Sequence, residues 1–171
     1  LVALLSAVQG FGCRGSSQRP LNPVLENAQA NLLAVKSRLG KKPELKDADY
    51  FELGMAKYRV WSIYLARSRY PAGTTKTRRK AAANRRKAER IEPEVIEAFK
   101  RAAGSPDPHL ASKAKVRLAW VYGKKRDWDQ QVALLAGILR DHGDLNDPQV
   151  FGAGRTPHYY CYYTMWQALK A

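Results

Sequence analysis

Cysteine is nearly absent: Cys13 and Cys161 are the only two in 171 residues, too few for the disulfide framework of small secreted domains. Histidine is almost as scarce. His109, His142 and His158 stand apart, no two of them sharing a helix face at ligand spacing, so the chain carries no metal motif and no cofactor signature. No apolar run reaches the roughly 20 residues that span a bilayer. Nowhere do apolar and polar residues alternate between hairpin turns, which excludes a sheet as the organising element. Acids are outnumbered two to one, 15 Asp and Glu against 30 Lys and Arg, for a net charge of +15. With 45% hydrophobic residues the chain is nonetheless globular in composition, and its length fits one domain of roughly 100–200 residues.

The charge is unevenly placed. Between Thr74 and Arg90 stand eight bases, Lys76, Arg78, Arg79, Lys80, Arg85, Arg86, Lys87 and Arg90, against one acid, Glu89, or +7 in 17 residues. Arg78-Arg79-Lys80 and Arg85-Arg86-Lys87 are identical triplets seven residues apart. At 100° per residue they sweep one broad arc of a helix, with Ala81, Ala88 and Ile91 opposite. A helix can therefore rest a small-residue face on the protein body and turn its charge outward. A second cluster is Lys124, Lys125 and Arg126; a third is Lys41 with Lys42. Such concentrations are the footprint of a polyanionic partner, RNA or an acidic protein surface.

The punctuation predicts an all-α chain of about seven helices. Asn22-Pro23 opens the first, whose apolar residues Leu25, Ala28, Leu32, Val35 and Leu39 form one stripe before Gly40. Asp47 or Asp49 starts the second, which runs to about Tyr70 and carries Phe51, Met55, Tyr58, Trp61 and Leu65. The basic helix is expected to break or kink at Pro93. A fourth then follows to Ala103, burying Val95, Ile96, Phe99 and Ala102. Asp107-Pro108 begins the fifth, to Tyr122, and Asp127 caps the sixth, striped by Trp128, Val132, Leu135 and Leu139. Thr156-Pro157 opens a seventh that reaches the C-terminus. Residues 22–171 form the helical domain and 1–21 an apolar, irregular arm.

Helices five and six make a hairpin about Gly123-Lys124-Lys125-Arg126, with Leu118, Ala119, Tyr122, Trp128 and Leu135 at packing positions. Phe99 and Ala102 before Pro106, and Leu53-Gly54 earlier, occupy comparable places. The pattern resembles the tetratricopeptide repeat, a helix–turn–helix unit of about 34 residues, best over 108–143 and loosely over 48–107. Gln131 departs from it, standing where that family has a small residue. The resemblance implies antiparallel hairpins stacked as a short α-solenoid, an architecture of scaffolds and binders.

Catalysis needs titratable groups converging in a cleft, and here the acids sit mostly at helix starts, where capping explains them. His158 and Cys161, three residues apart, are the one nucleophile–base pair to consider, and packing is the simpler role for Cys161. The chain therefore reads as a non-enzyme. In the last helix Tyr159, Tyr162, Tyr163 and Trp166 fall on one side and Tyr160 off it. That side is either a packed cap or a protein interface, which large rings with polar tips favour.

Leu1–Phe11 is uncharged and mostly apolar, and Gly10-Phe11-Gly12-Cys13 partly matches a bacterial lipoprotein cleavage site with Cys13 as the lipidated residue. The Gly10, Gly12, Gly15 spacing lacks the following helix that a dinucleotide site needs. The expectation is a non-catalytic scaffold subunit of a large assembly, its basic helix on a polyanion such as the rRNA of an organellar (mitochondrial or plastid) ribosome. The alternatives are an accessory subunit of an organellar membrane complex, held near the membrane by the apolar arm, and an envelope lipoprotein.

Overall fold

The computed structural model describes residues 23–69, 73–143 and 157–170, and every described element is helical. The order is α1 (Pro23–Leu39), α2 (Asp47–Ser68), α3 (Thr75–Ala103), α4 (Pro108–Lys125), α5 (Trp128–His142) and α6 (Pro157–Leu169). The arm 1–21, with Cys13, lies outside the described residues, as does the Gly152–Gly154 loop.

Local chemistry sets most boundaries. The Asp107 carboxylate accepts the His109 N–H at 2.9 Å, capping α4 behind Pro108. Asp127 accepts the Gln130 N–H at 3.4 Å at the start of α5. At α2 the first helical residue is Asp47, while Asp49 reaches back to the Lys46 N–H at 3.1 Å. Its other partner is Lys42 Nζ at 2.5 Å, so the third basic cluster is partly spent on tying down a loop.

Two sequence expectations are corrected. Helix α3 passes through Pro93 unbroken, so the expected third and fourth helices are one and six helices are described. The proline lies exposed, so the Glu89 carbonyl that loses its donor can turn to water. On the other side Ala88, Val95, Phe99 and Ala102 continue one buried strip. Burial of that strip outweighs the local break. Helix α4 likewise runs past Tyr122 to Lys125, leaving Arg126 and Asp127 as the whole link to α5.

Each helix packs mainly on its neighbours in the chain. Paired contacts show α1/α2, α2/α3, α3/α4 and α4/α5 to be antiparallel: Gln29 with Tyr64 and Arg38 with Glu52, Lys57 with Glu94 and Lys87 with Tyr64, Glu92 with Lys125, Lys115 with Asp141. The main core joins α1–α4 around Trp61, Val95, Phe99 and Val121. A second joins α4, α5 and α6 around Val116, Leu135, Ile138 and Cys161. Close approach depends on two glycines. A Cβ at Gly54 would fall 2.8 Å from the Phe99 ring, and one at Gly123 would fall 2.5 Å from Gln131 Nε2. The bulk of Gln131 is thus accommodated by the missing side chain at 123.

A candidate polyanion-binding face

The first half of α3 buries only Ala81 and Ala88, seven residues apart. Lys76, Arg78, Arg79, Lys80, Arg85, Arg86, Lys87 and Arg90 are all exposed. At 1.5 Å per residue, residues 75–90 present this charge along about 24 Å. Among the described residues Arg85 is the one of the eight that pairs with a carboxylate, Glu89 at 2.9 Å. The helix N-terminus holds no acid in its first turn and places Lys76 there instead. That is the unfavourable sign for the helix dipole and a favourable one for an anion arriving from outside.

The second basic cluster sits beside the middle of this helix. Lys125 pairs with Glu92 of α3 at 2.9 Å, which brings the α4–α5 turn against α3 and partly neutralises that lysine. Lys124 and Arg126 remain exposed. The Arg126 backbone is left-handed, with φ 65°, its N–H on the Gly123 carbonyl at 3.1 Å. Glycine normally holds such a position, so the turn carries a cation at the expense of backbone comfort.

Alongside α3 the fold builds a cleft that the sequence did not reveal. Lys36 of α1 and Lys57 of α2 join Lys87 and Arg90 around a space of about 520 Å³. Lys57 is paired with Glu94 at 2.9 Å and is nearly covered. The Lys57 hydrogen bond holds the Glu94 carboxyl below the usual range, and the charges of Lys36 and Arg90 reinforce it. Lys36 and Lys57 flank apolar stripes in the sequence, and only the packing of three helices brings them together.

At the far end, α6 leaves Tyr159, Tyr162, Tyr163 and Trp166 exposed, each by about half. Tyr159 and Tyr163 stack at 6.0 Å with 5° between their planes, and Lys170 Nζ lies 3.7 Å above the Trp166 ring. Tyr160 turns inward and accepts the Trp120 indole N–H. Cys161 is fully buried, and burial pushes its thiol up to about 11. His158 lies exposed beside Tyr162. A thiol held this firmly in its neutral form is a poor nucleophile at neutral pH.

Among the described residues no three His, Cys, Asp or Glu side chains gather as a metal site, and no helix is long and apolar enough to cross a membrane. Comparison with known proteins gives no match to any family model, curated protein or solved structure, the tetratricopeptide repeat included.

Proposed function

We propose that this protein is a non-catalytic helical scaffold, a short α-solenoid that docks on structured RNA within a larger assembly. The observation that carries the reading is the first half of α3: eight cations exposed on a segment that buries two alanines. Its contribution to the core is small, and most of its charge has no carboxylate partner among the described residues. Neighbour-on-neighbour packing of antiparallel helices supports the solenoid. Contacts of Lys and Arg with phosphates give affinity without sequence readout, which suits a subunit that sits on RNA already shaped by its own pairing. The half-exposed rings of α6 supply a separate surface for a protein neighbour, because Tyr and Trp combine area with a polar tip.

The test is binding of a structured RNA hairpin as salt is raised. About five simultaneous phosphate contacts imply a log–log slope near −4, a loss on the order of 200-fold between 50 and 200 mM salt. Changing Arg78, Arg79, Arg85 and Arg86 together to Ala should flatten that slope by about three units. All four side chains are exposed, so the variant stays folded. Absence of binding at low salt, or an unchanged slope in the variant, refutes the reading.

A further inference from the structure

We infer that the cleft between α1, α2 and α3 receives one unpaired nucleotide of the bound RNA, its phosphate on the cations and its base on the apolar wall. The inference rests on the RNA-docking reading and adds a specific pocket to it. Four cations from three helices, Lys36, Lys57, Lys87 and Arg90, line the cleft with the single carboxylate of Glu94, on which Lys57, Lys36 and Arg90 act directly. The cleft therefore holds an excess of three positive charges. Lys57 is occupied by that carboxylate at 2.9 Å, which leaves Lys36, Lys87 and Arg90, all exposed, to meet an anion at the mouth.

The cleft is not a purely cationic surface. Leu33 stands at its edge 68% exposed, with Val60 and Ile91 deeper in. Lys87 Nζ lies 5.3 Å over the Tyr64 ring, which is itself held by the Gln29 carboxamide N–H at 2.8 Å. An anionic group joined to an apolar body matches both parts of this lining, and a nucleotide offers both. The space of about 520 Å³ accommodates one. A run of Asp or Glu alone satisfies the charges and leaves the apolar wall uncovered. Continuity decides for RNA: Lys87 and Arg90 belong both to the cleft and to the basic face of α3, so a strand tracking that face reaches the pocket. Unpaired bases are the part of a folded RNA that can enter such a pocket.

The experiment compares two probes, a blunt RNA duplex and a hairpin with an unpaired loop, against the full chain and two variants. L33A/K36A alters only exposed residues of α1. It should weaken hairpin binding about tenfold and leave duplex binding unchanged. R78A/R79A should weaken both probes alike. Equal loss of both probes in L33A/K36A, or no loss of either, overturns the nucleotide pocket while RNA docking stands. Failure of the unaltered chain to bind either probe removes both claims together. Displacement of the hairpin by poly-glutamate in the unaltered chain but not in L33A/K36A assigns the cleft to an acidic protein instead, and overturns the proposal.

Discussion

Gly54 and Gly137 both lie inside helices, α2 and α5, yet Ala should have opposite effects at the two. In a helix interior Ala is favoured over Gly by about 1 kcal/mol. At Gly137 the new methyl meets only the flexible end of Arg140, at 3.9 Å, so G137A keeps that gain. At Gly54 the methyl would sit 2.8 and 2.9 Å from two ring carbons of Phe99, against an ordinary contact distance of 3.4–4 Å. The ring cannot step aside. Phe99 is fully buried, with Phe51 at 6.0 Å and Tyr58 at 6.3 Å between centroids. Overpacking of this kind costs about 1–3 kcal/mol. The helix gain cancels between the two variants, so their difference in stability equals the packing cost alone. Thermal unfolding should place G54A below G137A by roughly 2–12 °C. Equal shifts in the two variants would mean that α2 and α3 do not approach as described.

Two further outcomes concern the turn and acid pH. R126G should raise stability by about 0.5–1 kcal/mol, because glycine adopts the left-handed backbone at that position without strain, while binding RNA more weakly; a loss of thermal stability would contradict the turn geometry. The carboxyls of Asp49, Glu94 and Asp141 are held below their ordinary values by hydrogen bonds from Lys42, Lys57 and Arg140 in turn. The unfolded chain therefore binds more protons, and the stabilisation is present above about pH 4.5 and lost as pH falls through the depressed native values. The urea midpoint should drop between pH 5 and 3, and by less in D49N/E94Q. A midpoint that holds or rises on acidification contradicts these pairings.

Much of this was legible residue by residue. Caps are local, so Asp107, Asp127, Pro108 and Pro157 announced their helix starts, and of the stripe Leu25, Ala28, Leu32, Val35 and Leu39 three residues are buried and Leu25 and Leu32 half-buried. Pro93 misled because a break is the local expectation, while the continuous strip from Ala88 to Ala102 is a property of the packed helices. The last helix shows a different limit. Its period separated Tyr160 from Tyr159, Tyr162, Tyr163 and Trp166, but a helix apolar on every side does not say which side turns inward. Packing against Trp120 and Leu135 decided it. Lys36 and Lys57 were invisible as a pair for the same reason: the cleft they share is made by three helices, not by spacing along one.

The exposed cations of α3 should also leave a mark in the absence of RNA. Lys76 with Arg79 and Lys80, Arg86 with Arg90, and Lys87 with Arg90 are like charges three or four residues apart on one helix, each pair unfavourable by about 0.2–0.5 kcal/mol. Opposite charges at the same spacings, Arg85–Glu89 at 2.9 Å, Arg86–Glu89 and Arg90–Glu94, offset three of these four pairs. The remainder, a few tenths of a kcal/mol, is a cost of keeping the face charged, and it is screened as the Debye length falls from about 30 Å at 0.01 M to about 8 Å at 0.15 M. Sodium chloride should therefore raise the unfolding temperature by about a degree over that range. The body's ion pairs, such as Lys42–Asp49 and Lys115–Asp141, weaken with salt and pull the other way. The informative quantity is thus the salt increment in the unaltered chain minus that in K76A, which removes two of the like-charge pairs and no opposite pair. A positive difference places the repulsion on α3. A difference of zero would mean that these charges already have partners within the fold, and the face would then not be free to dock.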